Sequence, residues 1–530
     1  MSQKNIHIII VVSIFLFTSS IMILAYTPPT SRDALIHHLA IPKLWINHGG
    51  FYDLPFMTHS YYPMNIDLLY IIPLMFKNDI IPKYIHLSFA LLTAYIIYWY
   101  LKKRVSKTYA LLGILIFLST PIIIKLSTTV YVDLGLLFFS GLSLLTLFRW
   151  QEENFKIKWF IISAISCGLA LGTKYNGLIA FLLLTLAVPY FYVRRTGDSL
   201  KAIRYGLFFL VISLAIFSPW IIKNYILTGN PIYPFYDSIF NKTTVNSGSN
   251  LSVFQIRRFL YGESWWEIIL IPLRIFFAGK DGTPKQFDGV LNPILLIFLP
   301  FSFLNKGGRK GEDVRYLLLF ALLYFLMVFF KTDMRIRYIL PMVTPLVILA
   351  VYGIKNAYHL YGRISKIWCV SVCGFLLALN ISYLYQQFKI NQPLSYILGR
   401  VSRDQYLTKR LGNYEVFKFI NKNLPKDAKI MFLFMGNRGY YCDREYVYDT
   451  YYSGMTLKDI IQGSKGIHQI KQALKEMKIT HLLMNNGLTW EFLHNNLERD
   501  KENLFRDFLR HNAKLLFTCH GYSLYELVDK

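Results

Sequence analysis

Between Tyr26 and Tyr70 the chain reads Ser31-Arg32-Asp33-Ala34-Leu35-Ile36-His37-His38-Leu39-Ala40-Ile41-Pro42-Lys43 and closes with His59-Ser60-Tyr61-Tyr62-Pro63-Met64-Asn65-Ile66-Asp67-Leu68-Leu69-Tyr70. Two carboxylates, three histidines, a lysine and several tyrosines sit in a segment flanked by membrane-like sequence. Ionisable groups at a bilayer face are costly unless paired or hydrated, so the crowding reads as the mouth of an active site.

Outward from this stretch the chain is apolar. Of 530 residues, 54% are hydrophobic, 17% aromatic and only 17% charged, with a mean hydropathy of +0.36. That excess is spread too evenly for a soluble protein and points to a mainly α, polytopic membrane protein. Candidate spans lie near 6–26, 81–101, 108–126, 133–150, 158–173, 176–193, 205–223, 290–304, 314–330, 336–353 and 366–386, about eleven in all. The run 64–77 reads as a juxtamembrane or re-entrant helix. The net charge of +26 falls in short clusters between apolar runs, as the positive-inside rule expects, and marks no nucleic acid partner.

With the N-terminus inside, the clusters at Lys102 to Lys107, Arg149 to Lys158, Arg194 to Arg204, Lys306 to Arg315 and Lys355 to Lys366 all face the cytoplasm. The opposite face then carries the first loop (27–65), the turns 127–133, 172–177 and 331–337, the long loop 223–289, and everything from about residue 390. In the long loop, Trp265 to Phe277 reads as an interfacial helix or, equally, as a buried core helix. The organisation expected is a transmembrane domain over 1–390 and a soluble extracytoplasmic domain over 391–530. In the latter, a helix at 414–423, strands at 428–434, 479–484, 514–519 and 522–527, and a helix at 490–511 make an α/β pattern. Its Gly436-Asn437-Arg438-Gly439 turn lacks the lysine-serine/threonine ending of a phosphate loop. Five cysteines are too few for a disulfide scaffold, but Cys442 and Cys519 would be able to pair outside the cytoplasm.

This topology collects Asp33, His37, His38, Lys43, His59, Asp67, Asp133, Lys174, Arg335 and Arg337 on one face. Asp33 and His37 are spaced i, i+4 and share a helix face, with His38 turned aside by about 100°. Asp33 suits a general base and a histidine its assistant; the structural alternative is a helix cap at Asp33 or Ser31. Asp133 suits a second acid or a cap at its helix start. Lys174, Arg335 and Arg337, with Tyr338, suit a phosphate grip at the depth of a lipid headgroup, or simple snorkelling. The histidines lack the spacing of a zinc site, so no metal ligand is assigned.

In order along residues 5 to 390, several motifs resemble one family: Asp33-Ala34-Leu35 with His38-Leu39-Ala40-Ile41-Pro42-Lys43, Tyr62-Pro63-Met64-Asn65, Tyr131-Val132-Asp133, Gly168 to Tyr175, Ser218-Pro219-Trp220, Asn230 to Pro234, and Arg337 to Pro341. They are similar to the GT-C fold glycosyltransferases that use polyprenyl-phosphate sugars, in particular protein O-mannosyltransferases and the aminoarabinose transferase acting on lipid A. The resemblance implies that Asp33 is the key first-loop acid and Asp133 its loop-two counterpart. Ala34 stands where many members carry a glutamate, which leaves metal use open. The function expected is an inverting transferase that moves a sugar from a lipid carrier to an acceptor hydroxyl on a lipid, glycan or protein, at the extracytoplasmic face of the plasma membrane. Asp33, Asp133 and His38 would be catalytic. His37, Lys43, Tyr62, Asp67, Lys174, Arg335, Arg337 and Tyr338 would bind substrate. A flippase of lipid-linked sugars is the competing reading.

Overall fold

A computed structural model describes residues 3–241, 253–304, 308–332, 334–449 and 456–528. Part of the long loop (242–252), Lys306 and Asp333 lie outside the described residues. The chain divides into two compact units: residues 1–27, 63–69 and 80–394 form the first, and 28–62, 70–79 and 395–530 the second.

The first unit is a helical membrane bundle. Eight described helices are long and apolar enough to cross a bilayer: Lys4–Ala25, Ile81–Arg104, Asp133–Glu152, Gly177–Thr196, Ser199–Thr228, Gly311–Lys331, Ile336–Tyr358 and Gly362–Asn391. Helices dominate because nothing in hydrocarbon can hydrogen-bond an open backbone. The span expected at 108–126 is instead two helices, Lys107–Ser119 and Pro121–Ser127, bent by 66°. Thr120 is the cause: a residue before proline is pushed out of the α region, and its ψ is 124°. Ile157–Thr173 and Ile294–Phe303 are shorter apolar helices, and so is Asn65–Met75, the segment read as juxtamembrane.

Charges in two basic clusters serve as internal ties. Arg104 pairs with Asp313 at 3.0 Å and with Glu152, while Arg149 holds Glu152 at 3.1 Å and Glu153 at 3.2 Å. Tight packing fixes the bundle elsewhere. A Cβ on Gly353 would sit 1.8 Å from the Phe298 carbonyl oxygen, so the helix passes the 294–303 segment at backbone contact. In the long loop, Trp265–Ile269 and Ile271–Phe277 are two short helices rather than one. They bury Ile268, Ile271, Ile275 and Phe276 and expose Trp265, Trp266, Ile269, Leu273 and Phe277.

The second unit holds a five-stranded sheet. Its strands are β1 (Lys429–Leu433), β2 (Glu445–Tyr448), β3 (His481–Asn485), β4 (Ala513–Cys519) and β5 (Tyr522–Leu527), in the order β2-β1-β3-β5-β4. β1 runs parallel to β2 and β3, while β5 is antiparallel to β3 and β4. The helix expected over 490–511 breaks into Asn486–Asn496 and Arg499–Asn512, because Leu497 and Glu498 are extended between them. Met431, Leu433, Ile461, Leu474, Leu482, Met484, Phe505 and Phe508 form its core. Cys442 and Cys519 do not pair; both are free thiols.

The Gly436–Gly439 turn has a packing role. Gly439 lies under the Tyr446 ring, where a Cβ would approach to 2.4 Å, and the following Tyr440 N–H donates to Leu35 O at 3.2 Å. Lys43, expected at the substrate, spends its three donors here, on Tyr440 O (2.7 Å), Cys442 O (3.0 Å) and Asp443 Oδ1 (2.6 Å). Tyr441 Oη reaches Pro29 O at 2.8 Å, and Asp79 joins Arg403 at 2.5 Å. Lys43→Met should therefore destabilise this unit by about 1–3 kcal/mol, the cost of unsatisfied buried carbonyls, read as a lower melting midpoint. Gly353→Ala should cost about 1–3 kcal/mol in the bundle by overpacking, with reduced yield of folded protein.

Candidate functional site

Asp133 opens the helix Asp133–Glu152, and its carboxylate is 1% exposed. Oδ1 accepts from Lys174 Nζ at 2.7 Å, whereas Oδ2 has no hydrogen-bond partner among the described residues. The Lys174 ammonium also lies 5.2 Å from the centre of the Tyr338 ring. The Arg337 guanidinium is 5.3 Å from the Tyr131 ring and 5.2 Å from that of Tyr338. A buried carboxylate, two cations and two tyrosines thus meet at the amino end of a long helix, where the backbone dipole adds partial positive charge.

Local sequence explains each placement. Lys174 is extended between two helices, at a turn closed by Gly177 N–H to Lys174 O (2.8 Å). Gly177 abuts backbone: its Cβ would fall 2.5 Å from Ala170 O. Tyr175 anchors the turn by donating to Tyr233 O (2.8 Å) and accepting from Asn224 Nδ2 (3.1 Å). Gly172 packs on Asn65, whose Oδ1 accepts from Trp220 Nε1 at 2.8 Å. Residues from six separate motifs of the sequence therefore converge in the first unit around Asp133 and Lys174.

His86, which the sequence reading passed over, locks the helix start. Its Nδ1 reaches Leu126 O (2.9 Å) and Thr129 O (3.0 Å), and its Nε2 accepts from Leu134 N–H (3.0 Å). Two carbonyls on one nitrogen and an amide on the other require the neutral Nδ1-protonated ring. An ionisable residue inside an apolar span was the signal available for it. Nearby, Lys125 pairs with Asp281 (3.1 Å) and Asp288 (3.0 Å). Burial pushes the Asp288 carboxyl up, but Lys125, the Gly282 N–H and Arg337 outweigh it and hold the group below its usual range.

Asp67 is buried on the helix Asn65–Met75, and Arg335 is extended and half-buried two residues before Arg337. In the second unit, residues Ala34–His38 form a π-turn, with Leu39 N–H donating to Ala34 O at 2.9 Å. Pro42 accounts for the widening, since it offers no N–H and its ring crowds the His38 carbonyl four residues back. The turn gathers the histidines: His37 stacks on His59 (4.3 Å, 7°) and tilts against His38 (4.0 Å), and His59 meets Tyr62 at 5.2 Å. Asp33 sits half-buried at the cap position, yet its side chain makes no capping bond, and Ser31 Oγ makes none either.

Lys174→Met should strand a buried carboxylate and cost about 3–5 kcal/mol, whereas Lys174→Met combined with Asp133→Leu should recover much of that loss. Thermal unfolding of the two single variants and the double reads the coupling; purely additive losses would contradict the pairing.

Residues 73–228 match the family model of dolichyl-phosphate-mannose-protein mannosyltransferase. Comparison with curated proteins gives no match. Among solved structures, the chain is similar to ArnT from Cupriavidus metallidurans in the apo state, at 12% identity and a TM-score of 0.57 over 96% of this chain and 97% of that one. It is also similar to the same protein bound to undecaprenyl phosphate, at 11% identity and a TM-score of 0.55 over 99% and 98%. The oligosaccharyltransferase of Archaeoglobus fulgidus, in complex with Zn and sulfate, aligns at 10% identity and a TM-score of 0.50 over 97% and 73%. At these identities the likeness is one of fold.

Proposed function

We propose that this membrane protein, which shares the fold of ArnT and matches the dolichyl-phosphate-mannose-protein mannosyltransferase model over residues 73–228, is an inverting glycosyltransferase that takes its sugar from a polyprenyl-phosphate carrier. The observation that carries this reading is the buried Asp133–Lys174 pair beside Arg337, which puts two cations against one carboxylate where a helix dipole also favours an anion. Asp288, the next acid, is already engaged by Lys125. ArnT from Cupriavidus metallidurans binds undecaprenyl phosphate on the same fold, which supports a carrier of this class.

In the proposed reaction Asp33 accepts the proton of an acceptor hydroxyl, with His38 assisting and His37 and Tyr62 lining the acceptor side. The hydroxyl oxygen attacks the anomeric carbon from the face opposite the phosphate. The carbon–oxygen bond to phosphate breaks, and the phosphate leaves with the electron pair, stabilised by Lys174 and Arg337 with Arg335 and Tyr338. Asp133, the second acidic residue of the proposed site, holds Lys174 in place through Oδ1, while its Oδ2 has no hydrogen-bond partner among the described residues. Asp67 belongs to the same proposed substrate set. The active site and residues 391–530 are placed on the extracytoplasmic side of the plasma membrane, in line with the clustering of basic residues between spans.

Purified protein in liposomes, offered a panel of radiolabelled polyprenyl-phosphate sugars, tests the proposal. Wild type should consume one donor, and Asp33→Asn should lose at least about 100-fold in rate, the scale of general-base catalysis. Donor that changes leaflets unconsumed, equally in both proteins, would establish the flippase instead. Near-normal transfer by Asp33→Asn would remove that residue from the mechanism.

A further inference from the structure

Apart from the sites considered above, one cluster in the second unit combines three different donor types. Glu415 lies in the first turn of the helix Tyr414–Asn423, while Cys519 and His520 end β4 and begin the two-residue turn into β5. Cys519 Sγ donates to Glu415 Oε2 at 2.8 Å, and His520 Nε2 is 3.8 Å from the same oxygen. The carboxylate oxygen, the thiol sulfur and an imidazole nitrogen all lie within 4.8 Å of one another. Metal–ligand bonds of about 2.0–2.3 Å at tetrahedral angles require donor atoms about 3.2–3.8 Å apart, so small side-chain rotations suffice.

We propose that Glu415, Cys519 and His520 form a binding site for a borderline transition-metal ion, with Zn²⁺ the natural occupant and a fourth position left to water. The donor set argues for this class of ion. A thiolate with an imidazole disfavours Mg²⁺ and Ca²⁺, which take oxygen ligands, and suits Zn²⁺ or its spectroscopic substitute Co²⁺. The geometry is set by backbone that exists for other reasons. His520 and Gly521 have φ of +48° and +81°, the mirror-image turn that joins twisted antiparallel strands. Gly521 O accepts from Asn486 N–H at 2.9 Å, and Phe517 stacks on Phe419 at 4.5 Å, holding the hairpin against the Glu415 helix. On binding, the Cys519 proton is released to solvent, the S–H···O bond is lost, and sulfur and carboxylate both turn to the metal. The ion would tie the sheet edge to the helix.

Co²⁺ titration of the full-length protein, carrying no polyhistidine tag, reads the site directly. One equivalent of Co²⁺ should develop a sulfur-to-metal charge-transfer band and intense visible bands, bleached by Zn²⁺. Cys519→Ser should abolish the charge-transfer band. His520→Gln, a change on an exposed turn that leaves the core intact, should weaken binding at least about tenfold, the lower end of what even an outer-shell change costs. Zn²⁺ should also slow maleimide labelling of Cys519 in the wild type. A band that is absent, that survives Cys519→Ser, or that His520→Gln leaves unchanged would overturn the site, and so would a labelling rate indifferent to Zn²⁺.

Discussion

A carboxylate buried to the degree of Asp133 is tolerated only if a cation meets it, and this constraint dictates much of the first unit. Lys174 can supply the charge only from a turn that reverses the chain within three residues, which in turn needs a glycine at 177 pressed on the Ala170 carbonyl. Tyr175 and Asn224 brace that turn, and His86 fixes the amino end of the Asp133 helix with both ring nitrogens. Arg337 then adds a second cation over two tyrosine rings. The result is a preorganised positive centre whose parts come from at least five segments of chain. Such a centre stabilises charge that develops during reaction without having to rearrange.

The second unit follows a different logic. Its sheet has an ordinary apolar core, but the loop after β1 is given over to the first-loop segment of residues 28–62. Lys43, Tyr440 and Tyr441 make contacts across some four hundred residues of sequence. The histidine stack and Asp33 belong to that same segment, so the sheet of the second unit contributes scaffold to the residues proposed to activate the acceptor.

Much of this was legible in the sequence, because apolar length and periodicity report directly on spans and strands. The helix Tyr414–Asn423 matches its expected bounds, and Asp133, Lys174, Arg337 and Tyr338, singled out from scattered motifs, lie close together in the structure. The misses have physical causes. Pro121 bends a span that composition alone reads as continuous, and Pro42 widens a turn that spacing alone reads as α-helical. Strand β2 is only four residues long, too short for an alternating pattern to stand out. Lys43 looked like a substrate ligand because a lysine at a membrane face resembles one, and its three carbonyl and carboxylate partners lie far away in sequence. His86 sits in an apolar run where a satisfied core histidine and a positioning one look alike. The ion triad of Glu263 with Arg257 (2.5 Å) and Arg274 (3.0 Å) was equally hidden, its charges being scattered over a loop.

The proposed chemistry requires the Lys174–Arg337 centre to hold the phosphate of a lipid carrier. Equilibrium binding of a polyprenyl phosphate, compared with the same polyprenol lacking phosphate, in wild type and Arg337→Gln, measures this most directly. Binding should depend on the phosphate and weaken by about tenfold or more in Arg337→Gln, the worth of one charge-assisted hydrogen bond. Equal binding of polyprenol and its phosphate, or an Arg337→Gln protein that binds the phosphate as wild type does, would rule out a phosphate site at this centre.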